Sequence, residues 1–362
     1  MEILSYNQQE LLTFIYSNSF YELENLPISK HRAVSQLNNP RLDEDDKILF
    51  VAYDGKKVAG YFGVLPDHVF VDGVKHRIGW GTCFWVDENY KSQNVAASIF
   101  LRVIRAWKQR LFITNIVPFL EPVYQKTKIF LPTQYKNGLR CFLRFNLAEV
   151  LPPKKKLYNR LQPLLKVSDS FGNLFQEQRL RFKSSYRQLK VEYVNEIDSD
   201  LESFLEQYTS SEWMRRGKIE LDWIRQYPWI LEGVKNDVNG ERYYFSAFSK
   251  RFYCRMVKLM DGANLTVGFM LLSVRNGSLT IPYFYGDAEY ASSVAAFLYT
   301  YMCEQGLTMI TTYNAILVDG LKNSDLPFIL KKEIRRPYLI SMHFPGIQEL
   351  NFQDGDGDCV FT

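Results

Sequence analysis

Cysteine pairs, clustered histidines and long apolar runs are missing from this sequence, and each absence removes a class of protein. The five cysteines, Cys83, Cys141, Cys254, Cys303 and Cys359, stand far apart with no C-x-x-C spacing. That pattern offers neither a zinc clip nor a disulfide framework, and it suits a reducing compartment. Only four histidines are present, none in H-x-x-x-H or H-x-x-H spacing, so no metal cofactor is expected. No G-x-x-x-x-G-K-[ST], G-x-S-x-G or G-x-G-x-x-G occurs, which leaves P-loop NTPases, α/β-hydrolases and dinucleotide-binding folds without an anchor. The best apolar run, 267–274, is far shorter than the ~20 residues a membrane-spanning helix needs. The first residues lack a basic start followed by an apolar core, so a cytoplasmic location is expected. With a net charge of only +4, neither a nucleic acid nor a membrane is an expected partner.

What is present is a globular composition, 46% hydrophobic and 23% charged, over 362 residues. That length suits two domains of moderate size. The segment to residue 37 reads as helical until Asn38-Asn39-Pro40 stops it. Strands are predicted at 48–53, 58–64, 68–71 and 81–86, with Asp54-Gly55 and Asp72-Gly73 as hairpin turns. A helix over 95–110 has Val95, Ile99, Phe100, Val103 and Trp107 on one face, and 112–117 reads as a buried strand. Two prolines and a charge run at 152–156 break both periodicities, so the boundary falls there, giving domains 1–152 and 153–362. After a basic helical connector at 179–190 the pattern resumes. Strands are predicted at 191–194, 252–260, 267–274 and 279–285, and helices at 200–208 and 292–305. Turn, glycine and second turn recur in the same order (Asp54-Gly55, Gly60, Asp72-Gly73; Asp261-Gly262, Gly268, Asn276-Gly277), which reads as two copies of one fold. The aromatic runs Tyr243-Tyr244-Phe245 and Phe252-Tyr253 read as buried strands rather than base-stacking surfaces.

One junction carries chemistry. At 85–97 a strand ends, a polar loop turns and an amphipathic helix begins with small residues. Such a junction aims unpaired backbone N–H groups at one spot with the helix dipole behind them, the arrangement that holds a phosphate or pyrophosphate. Asn94 tolerates a left-handed conformation, and Ala96 and Ala97 let a ligand approach the backbone.

Here the chain resembles the GNAT N-acyltransferase superfamily, in which a strand ending near V-x-P-E-Y leads into an R/Q-x-x-G-x-G/A loop. The corresponding residues are Val86-Asp87-Glu88-Asn89-Tyr90 and Lys91-Ser92-Gln93-Asn94-Val95-Ala96. Lys91 stands in place of arginine or glutamine, and Asn94 in place of the first glycine. The resemblance implies an α/β fold of two tandem GNAT-like domains, each a mixed, mostly antiparallel sheet flanked by helices. It also implies an acyl-coenzyme A cosubstrate, acetyl-CoA or another, held by Trp85, Val86, Lys91, Ser92, Gln93, Asn94, Val95, Ala96 and Ala97. An N–H near Trp85 and Val86 would serve the oxyanion. Tyr124, in a segment like the family's Y-x-x-x-G-F, would protonate the leaving thiolate. No base is legible, since Asp87 and Glu88 read as solvated.

The second half carries Asp287 and Glu289 where the first has its loop, and their charge should repel a pyrophosphate. It resembles the degenerate partner domain of bacterial tandem GNAT proteins, whose expected role is to shape an acceptor cleft. A small-molecule amine is the expected acceptor, possible amino-sugar nucleotides meeting the basic cluster Lys331, Lys332, Arg335 and Arg336. The acidic tail Asp354-Gly355-Asp356-Gly357-Asp358 lacks an EF-hand's length and distal glutamate and reads as a flexible acidic terminus. Two alternatives stay open: an aminoacyl-tRNA-dependent transferase of the peptidoglycan-bridge type, and a non-catalytic tandem-GNAT binding protein.

Overall fold

The computed structural model has an edge strand over the first residues, β1 (Glu2–Tyr6). The structure describes residues 1–151, 156–180, 189–233, 242–347 and 350–361. The opening segment is therefore not wholly helical. Asn7 closes a capping box with Glu10 and starts α1 (Gln8–Ile15), followed by α2 (Asn18–Glu22) and α3 (Lys30–Leu37). Next come β2 (Leu49–Asp54), β3 (Lys57–Val71), β4 (Val74–Val86), α4 (Val95–Ala106), β5 (Leu111–Thr114), α5 (Glu121–Lys126) and β6 (Gln134–Phe142). The expected strands 58–64 and 68–71 are one long strand, β3. It turns into β4 through Asp72 and Gly73, both at positive φ as a two-residue hairpin requires.

The chain continues through α6 (Leu147–Val150), α7 (Lys156–Arg160), α8 (Gln162–Leu180), β7 (Lys190–Val194), α9 (Ser199–Thr209), α10 (Lys218–Gln226), β8 (Leu231–Glu232) and β9 (Phe248–Ser249). Then follow β10 (Phe252–Met260), β11 (Thr266–Arg275), β12 (Ser278–Gly286), α11 (Ala291–Glu304), β13 (Met309–Thr312), α12 (Ala315–Lys322) and β14 (Leu330–Leu339). The order of β2 to β6 with α4 and α5 is the order of β10 to β14 with α11 and α12. Each run also has a short 3-10 turn before its first helix. The internal repeat is thus a repeat of elements.

Two compact units result, and they are not the contiguous halves 1–152 and 153–362. The first comprises Met1–Lys136, Glu196–Phe252 and Arg336–Thr362, the second Asn137–Asn195 and Tyr253–Arg335. The physical reason is strand exchange. After α5 the chain leaves the first unit, and β6 pairs antiparallel with β13 of the second. After α12 the chain returns, and Tyr338 and Leu339 of β14 pair with Thr114 and Ile113 of β5. Of the run at 152–156, residues 152–155 lie outside the described residues, as does most of the connector at 179–190.

In the first unit β1, β2, β3 and β4 form an antiparallel meander, and β5 joins β4 in parallel. One face packs Phe50, Phe62 and Val64 against Val95, Ile99 and Val103 of α4. The other packs Ile48, Val51 and Tyr61 against Leu11, Ile15 and Phe20 from the opening helices. In the second unit β7, β10, β11 and β12 are antiparallel, β13 is parallel to β12, and β6 closes the row. Helix α11 is almost wholly apolar and buried there.

The acidic tail is not solvated. Asp356 is fully buried, accepting from Arg216 at 3.2 Å and from the backbone N–H of Gln353 at 2.8 Å. Arg216 also pairs with Asp67, which takes further bonds from Arg41 at 2.6 Å and the Trp80 indole at 3.0 Å. The burial of Asp67 would raise its carboxyl, but the Arg216 and Arg41 guanidiniums outweigh that and hold it below the usual range. Burial wins at Asp356 and raises it. Beyond the aspartates, Phe361 stacks on Trp229 with ring centroids 4.4 Å apart. Burying such a ring contributes about 1.5–3 kcal/mol, enough to anchor the chain end in this core.

Candidate functional site

Strands β4 and β5 are paired only at Gly79–Leu111, Trp80–Phe112 and Gly81–Ile113. Beyond these pairs β4 runs on to Val86 while β5 stops at Thr114, so the two strands part. A cavity of about 300 Å³ opens at the splay. Phe62, Phe84, Ile113, Leu120 and Tyr124 supply its apolar wall, and Thr82, Cys83, Asn115 and Asp358 its polar rim. Gly81 is needed at the fork, because a Cβ there would sit 2.7 Å from the Phe62 ring. Opposite Phe62 the ladder slips, with Gly63 facing Thr82 but Tyr61 facing Trp85. Cys83 adopts φ 49° in that bulge. A bulge strips one residue of its ladder partner and re-aims the strand, a device common beside active sites.

Tyr124 enters the cavity from α5. Its ring meets Phe100 and Phe130 edge to face, at 5.2 and 6.2 Å. Burial pushes the phenol up to about 12, and its hydroxyl makes no hydrogen bond among the described residues. A held ring with an uncommitted hydroxyl is a donor ready for a ligand.

The polar rim was not legible as a site. Arg32 of α3 is buried and lies over the Trp229 ring at 4.0 Å. It donates to the Tyr243 hydroxyl at 2.5 Å, to Thr82 Oγ1 at 3.2 Å and to Cys83 Sγ. Thr82 Oγ1 in turn donates to Asp358 Oδ2. Burial raises the Asp358 carboxyl, while the Thr82 bond and the Arg32 charge oppose the rise. Residues 32, 82, 243 and 358 share no local pattern. The one available signal was the aspartate run of the tail, whose alternation with glycine resembles a solvated loop. Tyr243 is buried, but 243–245 contributes only an isolated bridge, at Tyr243, and not a strand; Tyr244 is exposed.

The loop at 88–97 keeps the shape its sequence suggests. Glu88–Gln93 forms a 3-10 turn, Asn94 takes φ 57° and ψ 19°, and Val95 begins α4. No side chain caps this N-terminus. Ser92, Gln93, Asn94, Ala96 and Ala97 are exposed and Val95 is buried. Exposed Lys91 pairs with Glu88 at 3.0 Å, which offsets the charge it offers. None of these residues lines the splay cavity. The side chains of Trp85 and Val86 do not line it either: Trp85 packs on Tyr61 and Tyr244, and Val86 on the α4 core. The expected oxyanion donor near Trp85 and Val86 is better matched by the bulge at Cys83 and Phe84.

In the second unit Asp287 and Glu289 are exposed before α11. The residue before that helix, Tyr290, is not left-handed. Helix α12 lies against the first turn, where a Cβ on Gly320 would come within 2.4 Å of the Ala291 carbonyl oxygen. Within the basic cluster Lys331 bonds the carbonyls of Lys322 and Ser324, and Arg336 that of Asp354. Among the described residues no three histidine, cysteine or carboxylate side chains gather as a metal site.

The unit is an α/β/α layer with a parallel strand pair splayed over a cavity, and solved structures share its fold. The chain is similar to a conserved protein of unknown function from Enterococcus faecalis V583 described as a probable N-acyltransferase. That alignment has a TM-score of 0.50 and 9% identity, and it covers 94% of this chain and 72% of that one. Saccharomyces cerevisiae N-myristoyltransferase with bound myristoyl-CoA aligns at TM-score 0.51 and 10% identity, over 94% and 80%. A GCN5-related N-acetyltransferase from Anabaena variabilis aligns at TM-score 0.44 and 10% identity, and the chain spans 62% of its length. No protein-family model and no curated protein matches the chain. What the two likenesses at TM-scores of 0.50 and 0.51 establish is a shared fold.

Proposed function

We propose that the chain is an acyl-CoA-dependent N-acyltransferase whose cosubstrate binds in the first unit. The observation that carries this reading is the splay cavity, with an uncommitted tyrosine hydroxyl on its apolar wall and a half-buried carboxyl on its rim. The pyrophosphate of CoA meets the uncapped N-terminus of α4, where the helix dipole and free N–H groups favour an anion. The thioester end enters between β4 and β5.

An amine is protonated at neutral pH and must lose a proton before nitrogen can attack. Asp358, raised by burial, is the group placed to take it. Nitrogen then bonds the thioester carbon, and the carbonyl oxygen carries the negative charge beside the Cys83–Phe84 bulge. The carbonyl re-forms as the C–S bond breaks, the electron pair leaves on sulphur, and the nitrogen, cationic after the attack, gives its second proton to water. Tyr124, at about 12, holds its proton more tightly than an ordinary thiol at about 8.5. It therefore steadies the thiolate by donating a hydrogen bond, and the sulphur collects its proton from water.

Acetyl is the expected acyl group and a small primary amine, an amino sugar among the candidates, the expected acceptor. Both are settled by one assay: CoA release from acetyl-, octanoyl- and myristoyl-CoA against amino sugars, amino-sugar nucleotides, polyamines and amino acids. Release with any pair supports the proposal. Absence of CoA binding by calorimetry defeats it in favour of a non-catalytic protein.

A further inference from the structure

Helix α8 is amphipathic the wrong way round. The helix buries Asp169 and Gln176 along its length, and Leu180 at its end is the one apolar side chain it buries. Asp169 accepts from the backbone N–H groups of Leu147 and Ala148 at 2.8 and 2.9 Å. Asn173 bonds both the N–H and the carbonyl of Phe145. Gln176 donates to the carbonyls of Leu143 and Pro327 at 3.1 and 2.8 Å. The outward face carries Leu164, Val167, Phe171, Leu174 and Phe175, each 59–66% exposed. Their spacing of three, four, three and one makes a continuous stripe along three turns. A soluble surface helix places these residues the other way, so this stripe is a surface awaiting a partner.

Charge identifies the partner. Arg160, Lys166 and Arg179 are exposed and make no ion pair among the described residues. Of the two acids on the helix, Asp169 is buried on backbone N–H groups and Glu177 is paired with Arg144 at 2.7 Å. In sequence alone, 151–157 and 181–190 add seven basic residues (Lys154, Lys155, Lys156, Arg181, Lys183, Arg187 and Lys190) and no acidic one. From 154 to 190 there are ten cations and two anions, a net +8, while the whole chain carries +4. The positive charge of this protein is therefore concentrated on one helix and its flanks. Two copies meeting face to face would bring like charge together. The stripe is a single ridge, so it offers no groove for a peptide. Large apolar side chains on one ridge bordered by cations are the features of a helix that lies in the interface of an anionic bilayer.

We infer that α8 docks the protein on anionic lipid surfaces, its Leu, Val and Phe side chains entering the headgroup boundary and its cations meeting lipid phosphates. No helix among the described residues is long and apolar enough to cross a membrane, so the attachment is peripheral.

The test is flotation of the full chain with phosphatidylcholine vesicles and with vesicles holding about 30% phosphatidylglycerol. Binding is expected to the second only, and to weaken as salt is raised. Phe171→Ser with Phe175→Ser should lower partitioning at least about tenfold, with circular dichroism unchanged because both rings are exposed. Arg160→Gln, Lys166→Gln and Arg179→Gln together keep the stripe and should lose the preference for phosphatidylglycerol. Equal binding to both vesicles, binding indifferent to the serine variant, or a dimer that dissolves in that variant without any vesicle binding would each overturn the inference.

Discussion

Helices α4 and α11 occupy the same place in the two copies, yet they face opposite conditions at their N-termini. Neither helix has a side-chain cap, but before α4 the chain passes through left-handed Asn94, and Ala96 and Ala97 are exposed. Before α11 stand Asp287 and Glu289, and α12 is packed so close that Gly320 has no room for a Cβ beside Ala291. The first arrangement leaves N–H groups for an anion; the second is closed by packing and guarded by negative charge. Duplicated secondary structure therefore need not preserve a duplicated site. The interiors differ as well. The first unit is tied by buried charges, Arg41, Asp67, Arg216 and Asp356. The second is sealed by an apolar cluster around α11.

The largest test of that contrast removes one buried charge. Asp67→Ala removes the carboxylate that Arg41 and Arg216 share, leaving them only Glu220 and Asp356, and should cost about 3–5 kcal/mol. All six tryptophans lie in the first unit, so the fall should appear in the fluorescence-monitored urea midpoint. The pH dependence separates the two aspartates. Asp67 is held low, so its contribution is whole above about 4 and is lost as pH falls below it. Asp356 is held high, so its contribution is whole below about 4 and is lost as pH rises. Asp67→Asn and Asp356→Asn should therefore change the slope of stability against pH in opposite senses; slopes of one sign would break the account of the network.

Next in size is the proposed base. Asp358→Asn should lower kcat by about a hundredfold or more with CoA affinity kept. The wild-type kcat/KM should also rise with pH through a value above the ordinary ~4. An unchanged rate would take Asp358 out of the reaction.

Charge at the helix starts tests the difference between the copies directly. Ala96→Glu should weaken CoA binding about tenfold or more, because it places an anion where the pyrophosphate goes. Ala288→Glu, before α11, should leave affinity and a stoichiometry of one unchanged in calorimetry. Two binding sites, or equal losses in both variants, would erase the distinction.

The smallest effect is expected from Tyr124→Phe. A hydrogen bond to departing sulphur is worth a few-fold to about tenfold in kcat, with KM for acyl-CoA little altered. A fall in affinity instead would make Tyr124 part of the cavity wall alone.

Local chemistry was legible. The left-handed Asn94, the Asp72-Gly73 turn, the buried face of α4 and the repeated order of elements all follow from residues within a few positions of one another. Each depends on short-range preferences that the sequence carries on its face. Three features depended on tertiary structure. The exchange of β6 and β14 pairs residues far apart in sequence, so no local period marks it, and it moves the boundary away from 152. The aspartates of the tail alternate with glycine like a solvated loop, but Arg216 and Thr82 take them into the interior, where Asp358 becomes a candidate base. On α8 the apolar period was present, but a period cannot say which face turns inward. Backbone groups at Phe145, Leu147 and Ala148 that needed partners decided it, because an unsatisfied buried amide costs more than an exposed phenylalanine.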